Sequence, residues 1–269
     1  MNNQSSPIIE VCVDTVESAI AAQRGGADRV ELCASLLEGG VTPSAGSIET
    51  ARKCLNIPIQ VMIRPRGGDF LYSHVDFDIM KRDVQVGKQC GADGVVFGIL
   101  TADGEIDKER TRELIESARP LNVTFHRAFD MTLDPYQAMK DLIELGVDRV
   151  LTSGQAASAA EGAKLIRDLV ETARGRIAVM AGGGLNETNI RQVVAGSGVR
   201  ELHFSGRSTM DSVMRYRNLN VALGSAQEHS EYQRLVVDAE RIKRIREAAN
   251  SGPDAPEPAP ETADFQQLS

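Results

Sequence analysis

Eight short runs rich in Val, Ile and Leu recur along this chain, each separated from the next by enough residues for one helix. They fall at residues 8–13, 29–33, 57–64, 94–99, 122–127, 149–153, 176–181 and 201–205. Strands alternating with helix-length segments imply βαβ units and a parallel sheet. Eight such units in 269 residues fit a single-domain α/β chain closed as a (β/α)₈ TIM barrel. A doubly wound open sheet, with its usual six or so strands, fits less well. Helices are expected from Asp14 to the Gly25-Gly26 pair, over 44–54, through Cys90, over 107–118, from Asp134-Pro135, over 157–172 and from Asn186. The phrases Gly25-Gly26-Ala27-Asp28, Gly91-Ala92-Asp93 and Gly146-Val147-Asp148 read as helix caps and turns. The barrel is expected to span 8–225, with a loop or short helix over 208–225. A charged helix over 232–249, within a segment 226–250, should pack on the barrel. Residues 251–269, with four prolines among acidic residues, read as a disordered tail.

Alternation within the strands says more. Successive side chains of a barrel strand point to the interior and to the outer helices, and helix-covered positions must be apolar. Sending Ile9, Val11, Val13, Val30, Leu32, Ile59, Val61, Ile63, Val123, Phe125, Leu202 and Phe204 outward leaves an unusual interior. Glu10, Cys12, Asp14, Glu31, Cys33, Gln60, Met62, Arg64, Thr124, His126, Glu201, His203 and Ser205 then face in. Barrel interiors are normally filled by branched apolar side chains. Ionisable groups converging on one cleft mark a functional site, although mutual ion pairing could also account for them.

The loops following the strands add candidates. Arg64 and Arg66 flank a Gly-containing loop after the third strand, and Gly183 and Gly184 follow the seventh. Ser205 and Arg207 follow the eighth. Loops after strands seven and eight often hold a phosphate in such barrels, through backbone N–H groups and a helix N-terminus. An anion site built from Gly183, Gly184, Ser205 and Arg207 is therefore expected.

A net charge of −8 argues against general binding of nucleic acid or anionic membranes. No apolar run approaches the roughly 20 residues needed to span a bilayer, and the first residues lack the pattern of a signal peptide. Four cysteines without a C-x-x-C pair form neither a disulfide scaffold nor a zinc knuckle. A cytoplasmic protein with reduced thiols and no nucleotide cofactor is expected. Cys54 and Cys90 read as packing residues.

The segments Glu10-Val11-Cys12-Val13-Asp14, Glu31-Leu32-Cys33, Met62-Ile63-Arg64-Pro65-Arg66-Gly67-Gly68-Asp69-Phe70 and Thr124-Phe125-His126-Arg127-Ala128-Phe129-Asp130 resemble signatures of the CutC copper-homeostasis family. So do Leu151-Thr152-Ser153-Gly154 and the turn at 182–184, and the resemblance runs from about 8 to 225. Ala181 stands where many relatives are expected to carry Pro, and Phe204-Ser205-Gly206 varies from forms with small residues. The resemblance implies a cytosolic TIM barrel, commonly oligomeric, here expected as a dimer. It also implies Cu(I) binding through Cys12 and Cys33. Two thiolates on neighbouring strands suit a soft ion, with Met62 as an extra soft neighbour.

The residues leave other functions open. An isomerase- or lyase-like enzyme acting on a small anionic or phosphorylated substrate would use Glu10 or Glu31 as base and His126 or His203 as acid. Arg64 and Arg66 would clamp the anion. No lysine falls at an inward strand end, which counts against a Schiff-base aldolase. A divalent metal on Glu10, Glu31, His126 and His203 is a third reading.

Overall fold

The computed structural model describes residues 6–218, 220–221 and 231–251. Strands β1 (Ile8–Val13), β2 (Arg29–Leu32), β3 (Ile59–Met62), β4 (Gly94–Phe97), β5 (Asn122–Phe125), β6 (Arg149–Thr152), β7 (Ala178–Gly182) and β8 (Glu201–Phe204) pair in chain order. All are parallel, and β8 closes on β1 through Glu10 opposite His203. Helices α1 (Val16–Arg24), α2 (Ala45–Cys54), α3 (His74–Gln89), α4 (Lys108–Ala118), α5 (Pro135–Leu145), α6 (Ala163–Ala173) and α7 (Ile190–Ser197) alternate with the strands. The fold is a (β/α)₈ barrel.

Capping chemistry sets most helix starts. Ser44, Ser73, Asp107 and Asp134 each accept a backbone N–H of the first turn, and Ser73 forms a reciprocal capping box with Asp76. The first helix is capped by Thr15 rather than Asp14, its hydroxyl accepting from Ser18 N at 3.1 Å. Helix α6 begins six residues later than expected. Gly162 crosses the end of β6 so closely that a Cβ there would lie 1.9 Å from the Ser153 carbonyl. Helix α7 begins at Ile190 rather than Asn186. The Asn186 and Asn189 side chains donate to the Gly184 carbonyl instead, so the chain turns before it coils.

Beyond the barrel the expected loop and long helix are replaced in part by a hairpin. β9 (Arg207–Asp211) pairs antiparallel with β10 (Gln233–Val237), and α8 (Ala239–Asn250) follows. Asp238, accepting from Glu240 N and Arg241 N, delays the helix to that point. Helix α8 packs over the β1–β8 seam through buried Ile242, Ile245 and Ala249. Gly25 is needed there, because a Cβ would meet Ile242 Cβ at 2.6 Å. Residues 222–230 and all of the expected tail but Ser251 lie outside the described residues.

Burial follows the strand alternation. Ile9, Val11, Val13, Val30, Leu32, Ile59 and Val61 pack against the helices in one large apolar core. A second, small cluster lies inside the barrel: Cys12, Cys33, Met62 and Val96, with Leu36 against it.

At the N-terminal ends of the strands one device recurs three times. Asp28, Asp93 and Asp148 each accept a backbone N–H from the first two residues of the preceding strand, from Ile9, Ile59 and Val123, always at 2.8 Å. Each is also paired with an arginine, Arg246, Arg52 and Arg119 respectively. The Gly-x-Asp phrases are thus strand staples as well as turns.

Candidate functional site

The interior is built as a chain of charges rising from the barrel floor. Arg149 binds Glu201, and Glu201 binds the second arginine, Arg29, at 2.5 Å. Arg29 Nε donates to Glu10 Oε2 at 2.5 Å, and Glu10 Oε1 receives His203 Nδ1 at 2.7 Å. His203 Nε2 stands 3.7 Å from Glu31 Oε2. That oxygen in turn lies 3.1 Å from Cys12 Sγ and 3.4 Å from Cys33 Sγ. The two sulfurs are 3.8 Å apart. Cys12↔Glu31 and Glu10↔His203 are register partners on adjacent strands, so the ladder itself brings these side chains together.

The environment tunes each group differently. Burial alone would raise the Glu10 carboxyl, but Arg29 and His203 overcome it and hold the pKa at about 2. Burial and the neighbouring Cys12 sulfur push Glu31 well above the usual carboxylate range. The hydrogen bond from Cys33 draws Cys12 down to about 5 against the effect of burial, with help from His203. The same contact, together with burial, pushes Cys33 up. Burial would lower His203, but Glu31, Cys12 and Glu10 raise it well above 6.5. The environment thus favours the thiolate form at Cys12 and the thiol form at Cys33, beside an imidazole whose protonated form Glu31 and Glu10 favour.

Three other parts of the expected site are assembled differently. His126 is buried, but it lies beside Phe70 and Arg64 and outside the Glu10–Glu31–His203 group whose ligand atoms approach one another. The four-ligand divalent site is therefore not formed. Both Glu10 oxygens are already bound, by Arg29 and His203, so the remaining three fit such an ion poorly. Burial and Arg64 hold His126 down at about 3, which favours the neutral ring. Glu10, held at about 2, is weak as a base.

Arg66 does not join Arg64 as an anion clamp. It pairs with Asp69 and Asp76, and donates to the Gly67 and Leu71 carbonyls. The phosphate cradle expected from Gly183, Gly184, Ser205 and Arg207 also rearranges. The guanidinium beside Gly183 is that of Arg127, already paired with Asp130. Arg207 is the first residue of β9, and its carbonyl accepts from Arg241, while Ser205 sits half-buried before it. The late start of α7 removes the helix N-terminus from that turn. Of the remaining thiols, Cys90 packs partly buried against the core, whereas Cys54 is exposed and packs against nothing apolar in the core clusters.

Sequence reasoning passed over Arg29, Arg149 and Tyr72. Arg29 shares the inward parity of Glu31, and Arg149 is its counterpart on β6, so alternation applied to the first residue of each strand would have found both. Tyr72 lies in an irregular loop, where no periodicity applies.

A closed parallel barrel with its reactive side chains gathered toward the C-terminal strand ends places this chain in the TIM-barrel class. Residues 7–208 match the CutC family, and the chain belongs to that family. It is 52% identical over 242 residues to the mouse copper homeostasis protein cutC homolog, covering 90% of this chain and 89% of the mouse protein. The crystal structure of CutC from Streptococcus agalactiae superposes with a TM-score of 0.71 at 34% identity, covering 74% of this chain and 98% of that one. Phosphoribosylanthranilate isomerase of Thermotoga maritima, at 14% identity and a TM-score of 0.55, shares the fold alone.

Proposed function

We propose that this chain serves copper homeostasis, as the names of its relatives state of them, by holding Cu(I) as cargo between Cys12 and Cys33 in a reducing cytoplasm. The observation that carries the reading is the inner cluster. Two buried sulfurs 3.8 Å apart share a small apolar patch with Met62, above the ion-paired groups of the barrel floor. Soft thiolates select Cu(I), whereas the hard Glu10 carboxylate is occupied by Arg29 and His203. Cys12 is primed as a thiolate by its neighbours, and Cys33 must release a proton when it binds. No helix among the described residues is long and apolar enough to cross a membrane.

Titration of the chain with Cu(I) under reducing conditions, against a competing chelator, tests the reading. Cys12→Ser together with Cys33→Ser abolishes stoichiometric binding, while Cys54→Ser and Cys90→Ser leave it intact. Apparent affinity rises with pH as thiol protons leave more easily. Equal binding by the Cys12/Cys33 double variant refutes the site.

A further inference from the structure

Beside the sulfur cluster lies a second set of buried groups that the copper reading does not use. Arg64 follows the end of β3 and is only 5% exposed. Its terminal nitrogens donate to the carbonyls of Glu38, Gly40 and Gly68, at 2.7 to 2.9 Å. Its Nε–H has no partner, and no carboxylate among the described residues pairs with the guanidinium. A buried guanidinium satisfied only by neutral carbonyls keeps a full uncompensated charge.

His126, at the end of β5 and 4% exposed, presents a second donor. Its Nδ1 accepts from Ala128 N at 3.2 Å, so in the neutral ring the proton resides on Nε2. That Nε2–H likewise has no partner. The Phe70 ring borders both groups, 5.3 Å from the Arg64 guanidinium carbon and 5.0 Å from the His126 ring centre. Tyr72, 3% exposed, adds a hydroxyl. Burial raises its pKa, and the charge and a loose hydrogen-bonding contact of the adjacent Arg64 oppose that, the hydroxyl having no partner of normal geometry. Arg64 Nε–H and His126 Nε2–H are both donors and cannot satisfy each other. What they require in common is an acceptor, and the unpaired charge requires it to be an anion.

We propose that Arg64, Tyr72 and His126 form a binding site for a small carboxylate at the C-terminal ends of β3 and β5, separate from the thiol pair. One guanidinium charge and neutral donors match a planar monoanion, with the Phe70 ring as an apolar wall. A phosphate dianion carries more charge than the site offsets. The site abuts the sulfurs through a single residue. The Gly40 carbonyl holds Arg64, and a Cβ on Gly40 would lie 3.0 Å from Cys33 Sγ.

The test is an NMR titration of the full chain with sodium acetate, following the His126 Nε2 proton and the Ala128 amide. Acetate is expected to shift both saturably in the millimolar range. Tyr72→Phe, which removes only a hydroxyl, weakens the response about tenfold. His126→Asn keeps an acceptor for Ala128 N, loses the ring donor, and abolishes the Ala128 shift. Melting temperature confirms that both variants fold. No saturable shift with acetate overturns the proposal, as does an undiminished response in both variants. Tighter binding of inorganic phosphate than of acetate overturns the carboxylate assignment. Cu(I) titration reads the thiol pair independently, so the two proposals fail separately.

Discussion

The two ends of this barrel handle polar groups in opposite ways. At the N-terminal ends of the strands, Asp28, Asp93 and Asp148 are each bound by a strand amide and an arginine. Just above them Glu201 and Glu10 are shared among Arg149, Arg29 and His203. Toward the C-terminal ends, Glu31 Oε1, Arg64 Nε and His126 Nε2 are buried without partners. Satisfied charge holds the floor together, and unsatisfied polar groups gather where ligands meet a TIM barrel. A barrel that needed its interior charges only for stability would pair them at both ends.

Breaking the floor should have the largest effect. Arg29→Ala leaves Glu10 and Glu201 buried with one cation fewer, and urea unfolding should show a loss of about 3–5 kcal/mol. An unchanged midpoint would mean that the charge chain contributes nothing to holding the floor.

The mouth of the barrel should respond to pH. His126 has its folded pKa depressed to about 3, so its contribution is present above about 6.5. As the pH falls below that value the unfolded chain takes up a proton that the native one refuses, and stability declines. Between pH 6.5 and 5 the decline amounts to about 2 kcal/mol. Urea midpoints at the two pH values should therefore differ more for wild type than for His126→Asn, and equal differences would refute the depressed pKa.

A single staple is worth less. Asp148→Ala frees the amide of Val123, and the half-exposed Arg119 pair adds little, so about 1 kcal/mol should be lost by the same measurement. Smallest of all, Cys54→Ser should leave the unfolding midpoint within about 0.5 kcal/mol, because this thiol is exposed at the end of α2.

Most of the barrel was legible in the sequence because strand parity and helix caps are local signals. Ile9, Val11 and Val13 facing the helices while Glu10 and Cys12 face in follows from two-residue periodicity alone. The inward group Glu10, Cys12, Glu31, Cys33 and His203 was therefore legible before any coordinate. What parity could not supply was which inward groups touch. His126 shares the orientation of His203, yet a packed Phe70 ring and Arg64 hold it apart from the carboxylates. Loop contacts were less legible still. Arg66, Arg127 and Arg207 sit at similar points after their strands, and their partners depend on folds of the loop that carry no period. The β9–β10 hairpin was missed for a related reason: its strands are joined only across a long connection, so no local turn announced it.

The helix that crosses the seam has a bearing on how the chain is made. Strand β1 leaves the ribosome first and its partner β8 last of the eight, and α8 fastens both through Gly25, Asp28 and Gly206. Until β8 has been delivered, the β1 edge lacks its partner and the ring cannot close. The β1 edge, with Glu10 beside Cys12, then stands without the His203 that neighbours it in the closed ring. His203 therefore reaches Glu10 and Glu31 only once the ring has closed, whereas Cys12 and Cys33 already lie on the neighbouring strands β1 and β2.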